Sequence, residues 1–569
     1  MVTDAHSVTE QLSAGLRTAL TDAGLPPLGE CVWEVPRAEA HGDYASSAAL
    51  ALAKATGRPP RQVAELIVRH FPRLPAVGKL EIAGPGFVNV FLAPDWCRAA
   101  LPVIVATGPD YGRGEEGRGH HVRLEFVSAN PTGPLVIVNA RAAAVGDALA
   151  RLLRSQGYGV TSEFYVNDAG NQFQALAKSF EARVRQALGE DAPLPENGYP
   201  GDYLVDLARD YVKEQGLVRL GAHERRAGQG LAGRTVDELG RYAVTKIVEG
   251  QKKVLQDYGV DFDVWTFEQR DIRDRRLPEK VLAELAEKGL TEEHDGALWF
   301  RASELADEKD RVLRKSNGEL TYFAVDVAYH HSVKFQGATR VVDLLGPDHH
   351  GYVSRMRAAL QALGHPREAF DVLIIQLVTL LRDGQPVRMS KRRGEFVLME
   401  ELLEEVGRDA ARFTFLTRRH DSPLEFDLAL ATRQSANNPV YYVQYAHARI
   451  MSIFRQAVSQ GAIRESEWRR VDWSPSDPSR LTLPEELSVI KRLLQFPSLV
   501  GGAARTLEPH RVAYWLGELA GAFHPYYKEN RVIGDDPRLT RARLLLCAAV
   551  GQVVRNGLAL LGVGAPESM

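Results

Sequence analysis

Between His121 and Gln156 the chain switches periodicity within one short span, and that switch limits the folds open to it. Val122, Leu124 and Phe126 alternate as in a strand, a loop carrying Pro131 and Pro134 follows, and residues 140–156 repeat at helical spacing with Gly146 as the one breaker. A strand that feeds a long helix opens a βα unit and needs parallel partners. VVDLLG (341–346) and DVLIIQLV (371–378) supply apolar strand candidates, with a helix-like stretch at 352–363 between them. The expected assembly is a parallel α/β sheet.

The flanks read differently. Ser7 and Glu10 have capping-box spacing ahead of Leu12, Leu16 and Leu20 on one helical face, and KLEIAGPGFVNVFL (79–92) reads as two short strands around a Gly-Pro-Gly turn. Residues 1–110 are therefore expected to form a small α+β module that ends at the glycine-rich, charged YGRGEEGRG (111–119). Residues of about 185–255 are polar and helix-rich, with Pro and Gly clustered at 193–201, and read as an insertion. After Asp427 strand signals stop. Val489, Leu493 and Phe496 share a helical face, 544–561 is another apolar-periodic run, and SPSDPSR (474–480) links two such helices, giving an all-α bundle at 430–569.

Composition narrows the partners. At 569 residues the chain predicts about three to five domains. A net charge of −3 means that any nucleic acid must be held by local basic clusters. Cys31, Cys97 and Cys547 are far apart and odd in number, which excludes a Cys-rich zinc site and argues for a reducing compartment. The N-terminus lacks the pattern of a targeting signal, and no uninterrupted apolar run reaches membrane-spanning length, so the expectation is a soluble, cytoplasmic protein.

Two glycine-bearing loops compete as nucleotide sites. Gly112, Gly114 and Gly117 fit G-x-G-x-x-G, but a strand follows where a helix is needed, and Glu115 and Glu116 would repel phosphate; a flexible link between domains is the expected role. The loop at 128–139 runs from a strand into a helix N-terminus, where outward N–H groups and the helix dipole favour an anion. By position alone that marks a nucleotide site and no particular chemistry.

The residues of this loop say more. EFVSANPTGPL (125–135), followed by Ala140, Arg141 and GDALARLL (146–153), resembles the arginyl-tRNA synthetase version of the first class I aminoacyl-tRNA synthetase signature, and RMSKRRG (388–394) resembles the KMSKS loop. FYVNDAGNQ (164–172), GELTYFAVDVAYH (318–330), LLGPDHHGY (344–352), DSPLEFDLALA (421–431) and NPVYYVQYAHAR (438–449) resemble segments of the same family in the same order. The resemblance implies a multidomain chain: an N-terminal α+β module (1–110) that touches the tRNA elbow, a Rossmann-like catalytic domain (118–428) with a helical insertion, and an anticodon-binding bundle (430–569). It also implies ATP-dependent activation of arginine and transfer to the terminal ribose of tRNA(Arg), with Mg2+ accompanying ATP and no protein-bound metal or prosthetic group. A monomer that touches no membrane is expected.

Residue roles carried over by resemblance make chemical sense. A guanidinium suits planar acceptors, so Glu125 and Asp326, with Tyr322 beside them, match a bidentate arginine site, with Ser128 in the same group and Asn130 at the α-amino end. Pro134, Val136, Val138, Asn139, Gly346, Asp348 and His349 fall on the ATP elements, together with Met389, Ser390 and Lys391; His349 and His350 have no companions that would make a metal cluster. Arg388 and Lys391, with Asn139, are the catalytic candidates, the two cations closing over the leaving pyrophosphate. Phe87 and Asn89 are candidates for the tRNA elbow, and Tyr441, Tyr445 and Arg449, with Tyr442, Tyr526 and Tyr527, for anticodon bases.

The first signature is altered. Where the family has H-x-G-H, this chain has Val136, Ile137, Val138 and Asn139. Val136 has no donor for phosphate, and losing one such contact costs about 2.7 to 4 kcal/mol of transition-state stabilisation. Val138 places methyl groups where adenine would meet bare backbone, and Asn139 retains an amide. Two outcomes are open: ATP shifts and activation slows, or the loop is remodelled with Arg141 or His121 supplying the missing charge. A synthetase-like protein that binds tRNA without full catalysis is the alternative to an active ligase, and a nucleotidyltransferase unrelated to translation would leave both flanking regions unexplained.

Overall fold

The computed structural model describes residues 8–29, 33–36, 38–217, 234–305, 307–349, 351–387, 397–469, 473 and 476–569. Ser7 and Cys31 lie outside them, as does the whole KMSKS-like segment at 388–394. The N-terminal region runs α1 (Val8–Asp22), β1 (Tyr44–Ser46), α2 (Ala48–Thr56), α3 (Pro60–His70), β2 (Val77–Ala83), β3 (Phe87–Leu92) and α4 (Pro94–Thr107). Its strands pair antiparallel in the order β1-β3-β2, and α1 buries Leu12, Leu16, Ala19 and Leu20, the face that the four-residue leucine spacing predicts.

The centre of the molecule is a five-stranded parallel sheet. It is assembled from β4 (His121–Glu125), α5 (Ile137–Ser155), β5 (Gly159–Val166), α6 (Gly170–Ala187), α7 (Asp202–Glu214), α8 (Val236–Asp257) and β6 (Val264–Phe267), then α9 (Leu277–Glu287) and a small antiparallel sheet, β7 (Thr291–His294), β8 (Ala297–Phe300) and β9 (Arg311–Arg314). Next come α10 (Tyr322–Tyr329), β10 (Arg340–Leu345), α11 (Tyr352–Ala362) and β11 (Phe370–Ile374). The strand order is β11-β10-β4-β5-β6. The first strand is central, later strands are added to either side, and the chain reverses direction across the sheet between β4 and β10, which opens a crevice at their C-terminal ends.

Alternation assigns each strand's side chains to two cores. Val342 and Leu344 pack with α5 in the large core, which continues without a break into the N-terminal region and the C-terminal helices. Val341 and Phe370 face the second core, under α9, α10 and α11. Helix α5 lies directly on β4. A Cβ on Gly146 would come within 2.2 Å of the Phe126 ring, so this glycine permits the close approach and is no flaw in the helix.

Two sequence expectations are corrected. The run 371–378 is not one strand: Ile374 ends the central sheet, and β12 (Val378–Arg382) begins a separate one with β13 (Gln385–Pro386) and, after α12 (Met399–Val406) and α13 (Arg408–Phe415), β14 (Leu424–Asp427). Arg141 turns the backbone between them by donating to the carbonyls of Gln376 (2.8 Å) and Leu377 (3.4 Å). The glycines of 112–117 are not a loose link either, because a Cβ on Gly112, Gly114 or Gly117 would strike Phe496, Gln156 or Tyr158. Finally, β5, β6 and the β7–β9 sheet have no periodic signal strong enough to be read from sequence.

The C-terminal region follows α14 (Leu428–Thr432): α15 (Pro439–Ser459), α16 (Glu465–Arg469), α17 (Pro484–Arg505), α18 (His510–Glu529) and α19 (Pro537–Leu560). Helix α19 is long and apolar enough by composition to cross a membrane, and 61% of its most apolar window is buried within this fold.

Candidate active site

Register across the central sheet creates a line of charge. Asp343 on β10 sits opposite Glu125 on β4, which sits opposite Glu163 on β5, and in-register parallel neighbours share a face. All three carboxylates are buried, at 1%, 6% and 0% exposure. Such a row survives only if cations are buried with it. Arg123, two residues before Glu125, takes Glu163 with a fork of 2.6 and 3.0 Å. Lys334, fully buried in a π-helical turn (His330–Lys334) that continues α10, reaches Glu125 Oε2 at 2.5 Å and Asp343 Oδ1 at 2.6 Å. Tyr329 also donates to Glu125 Oε2, at 3.1 Å. Against the effect of burial, Lys334 and then His330 hold the Asp343 carboxyl below the usual carboxylate range, and Asp343 and Glu125 raise the Lys334 ammonium.

Asp326 projects from α10 toward the same crevice. Its carboxylate has no hydrogen-bond or ion-pair partner among the described residues. Desolvation, opposed by His330 and Lys334 and reinforced by Glu268 and Glu125, pushes its pKa up to about 7. Tyr322, one helical turn earlier, is 55% exposed, with its hydroxyl over Gly170. The crevice thus presents one carboxylate with both oxygens unpartnered and another, Glu125, whose recorded partners all lie on Oε2. That is an acceptor set for a planar, multi-donor cation.

The loop leaving β4 is strained and then braced. Val127 and Ser128 have φ of 69° and 37°, which for a β-branched residue is an outlier costing roughly 1–3 kcal/mol. Ser128 Oγ accepts from Tyr165 N at 3.1 Å, tying the turn to β5. From the insertion, Gln251 donates to the carbonyls of Asn130 (3.3 Å) and Gly133 (2.8 Å), and Tyr203 OH donates to that of Thr132. Asn130 and Pro134 remain exposed.

The altered tetrad forms the start of α5. Asn139 Oδ1 accepts from Val136 N at 2.9 Å, half of a capping box; the other half is missing because valine has no side-chain acceptor. The Asn139 oxygen is therefore committed to the helix end, and only its NH2 group can serve a ligand. On the outer side the tetrad pairs with the chain just past the KMSKS-like segment: Ile137 N donates to Val397 O (3.2 Å) and Met399 N to Leu135 O (2.9 Å), around a Val136–Leu398 bridge. The first signature thus meets the residues that follow the second in sequence. Arg388, Met389, Ser390 and Lys391 themselves lie outside the described residues.

Neither proposed substitute for the lost histidines is available. Arg141 is fully buried and committed to four backbone carbonyls, those of Gln376, Leu377, Arg419 and Ser422. His121 begins β4, bonded to Thr161, and the site lies at the strand's far end, about 13 Å away at ~3.3 Å per residue. Across the crevice, after β10, Asp348 and His349 are 80% and 45% exposed at the side chain and lie 3.6 Å apart, close to Gly346.

The candidate tRNA residues divide by burial. Phe87 is 36% exposed, whereas Asn89 is buried at 4%. On α15, Tyr441 stacks on Tyr445 (centroids 5.7 Å apart, 12° between planes), and Arg449 lies over both Tyr445 (4.5 Å) and Tyr527 (4.9 Å), a partly exposed ladder of flat groups. Tyr526 is core, 1% exposed and bonded to Glu486. Sequence reading missed Lys334, Asp343, His330, Tyr203 and Gln251. Lys334 in VKFQG resembles a surface lysine, and only strand register reveals its partners.

Comparison with known proteins agrees with this arrangement. Three family models match in order: the arginyl tRNA synthetase N terminal domain (residues 10–92), the class I (R) tRNA synthetase catalytic domain (103–428) and the DALR anticodon binding domain (443–569). An arginine–tRNA ligase of Desulforamulus reducens is 45% identical, with 95% of this chain and 94% of that protein covered; one of Syntrophotalea carbinolica is 47% identical, with 94% of each covered. The Thermus thermophilus arginyl-tRNA synthetase structure shares the fold at TM-score 0.77 and 23% identity, covering 99% of this chain and 100% of that one. The chain belongs to the arginyl-tRNA synthetases, of class I.

Proposed function

We propose that this chain joins arginine to tRNA by holding the guanidinium between Asp326 and Glu125, with Tyr322 alongside, and the triphosphate between the 134–139 turn and the RMSKRRG motif (388–394). Ligation, and the use of ATP, arginine and tRNA, come with the family. The residue assignment rests chiefly on one observation, the unpartnered Asp326 carboxylate beside Glu125 at the crevice where the sheet reverses direction. The arginine carboxylate attacks the α-phosphate of ATP, pyrophosphate leaves with its Mg2+, and the arginyl group passes from the adenylate to the 2′-hydroxyl of the terminal ribose. The protein contributes position and charge. Asn130 takes the α-amino end, and the Ser128 hydroxyl fixes the strained turn that presents it.

On the nucleotide side, Gly346, Asp348 and His349 flank the base and ribose, Pro134, Val136 and Val138 give an apolar seat, and the Asn139 NH2 group is the donor left to phosphate. Arg388 and Lys391, with Met389 and Ser390 between them, close over the pyrophosphate. Phe87, with Asn89 behind it, meets the tRNA elbow, and Tyr441, Tyr445 and Arg449 stack on anticodon bases. The working form is a cytoplasmic monomer with no protein-held metal.

The test is tRNA-dependent ATP–pyrophosphate exchange with arginine, in the native chain and in Val136→His, Val138→Gly, Asn139→His together. Exchange by the native chain, accelerated in the triple variant, is the expected result. No exchange in the native chain with recovery in the variant would replace the active-ligase reading with that of an impaired synthetase.

A further inference from the structure

Lys334 has no part in the chemistry above, yet its ammonium is the most heavily partnered group beneath the pocket. It is wholly buried and touches Glu125 Oε2 (2.5 Å), Asp343 Oδ1 (2.6 Å) and His330 Nε2 (3.1 Å), with the Tyr329 ring 4.7 Å away. His330 extends the chain of contacts: Nε2 lies 2.7 Å from Asp343 Oδ2, and Nδ1–H donates to the Asp326 carbonyl at 2.7 Å. A continuous set of bonds therefore runs from the Glu125 carboxylate on β4, through Lys334 and Asp343, to the backbone of the residue carrying the second acceptor.

We propose that Lys334 is a positioning residue for amino-acid selection: it occupies Glu125 Oε2, leaves Oε1 for the substrate, and locks Glu125 and Asp326 in the mutual geometry that a guanidinium fork requires. This rests on the assignment of arginine to Glu125 and Asp326. The physical reason is directional. A carboxylate free on both oxygens can rotate to meet a compact ammonium as readily as a fork, whereas one pinned at Oε2 offers one lone-pair direction. Selectivity for a planar cation then comes from removing alternatives for Glu125 as well as from attraction. The groups facing the Lys334–Glu125 contact are Tyr329 from α10, His330 from the π-turn and Asp343 from β10, and the Arg123–Glu163 pair lies beside it in the sheet.

Lys334→Met alone leaves buried acids uncompensated and can fail by unfolding, so the decisive variant is Lys334→Met with Asp343→Asn, which removes one buried charge of each sign. Calorimetric Tm, tRNA filter binding and the KM values for arginine and ATP in tRNA-dependent exchange are measured, with lysine as a competing substrate and Glu125→Gln in parallel. The double variant is expected to keep Tm and tRNA affinity near native, to raise the arginine KM roughly ten-fold or more with the ATP KM within two-fold, and to lower arginine-over-lysine discrimination. A double variant with native arginine KM and discrimination, while Glu125→Gln raises that KM, would overturn the role of Lys334 and leave the arginine site standing. An unchanged arginine KM in Glu125→Gln would remove the arginine assignment of Glu125, and the Lys334 proposal with it.

Discussion

On the proposed amino-acid side of the crevice, three buried acids are held by two neighbouring bonded sets, Glu125–Lys334–Asp343–His330 and the Glu163–Arg123 pair; on the proposed nucleotide side, the four residues from Val136 offer a single amide whose oxygen is already spent on the helix end. The first side is over-determined, because removing one charged partner alone strands a buried charge, which costs about 3–5 kcal/mol. The second keeps its backbone path and its pairing to Val397 and Met399 while lacking the polar side chains the family places there. On the proposed assignment, recognition of the amino acid and handling of the triphosphate are separable.

Variants on the two sides test that contrast. Asp326→Asn should have the largest effect: converting the unpartnered carboxylate to an amide removes a bidentate, charge-assisted acceptor, and the arginine KM in exchange should rise about 100-fold or more while the ATP KM stays put. An ATP effect of similar size would show the two sides to be coupled. Restoring Val136→His, Val138→Gly and Asn139→His should act in the opposite sense, raising kcat for exchange by up to about 100-fold if one phosphate donor is regained, with the arginine KM unchanged.

A smaller effect concerns pH. With its pKa near 7 in the free protein, Asp326 is protonated below that value and no longer attracts a guanidinium, so the arginine KM should climb about ten-fold per unit as pH falls below 7 and be flat above it. The ATP KM should lack that limb, and Asp326→Asn should abolish it. Gly146→Ala tests what joins the sides, since its methyl would strike Phe126 and separate α5 from β4; a loss of about 1–3 kcal/mol, read as a lower Tm, is expected. The mildest change should be Arg449→Ala, which removes one layer of the Tyr445–Arg449–Tyr527 stack and should weaken tRNA binding several-fold without altering the arginine KM.

The contrast also sorts what was legible in the sequence. The strand, loop and helix from Val122, the helical C-terminus and the altered tetrad are local patterns, and local patterns survive in sequence. The capping role of Asn139 was within reach too, since it lies three residues after the N-cap. Lys334 was not, because its burial depends on β10 lying beside β4 and on a π-turn above them, separations of some two hundred residues that no periodicity encodes. The same holds for Gln251 and Tyr203, which read as polar insertion residues until the loop they brace is placed beneath them. The run at 371–378 misled because its apolar residues record strand propensity and not that the two halves enter different sheets.

Arg141 gives the altered tetrad its wider meaning. Five residues past Val136, it anchors the first turns of α5 to four carbonyls from two other segments, a fixing that uses no tetrad side chain and no nucleotide. The helix start therefore does not depend on the side chains at positions 136 and 138, and at 139 it relies on the side chain only for the single capping bond from Val136 N. Those positions can therefore be exchanged, or the histidines and glycine restored, at the cost of at most one capping bond and without rebuilding the protein around them.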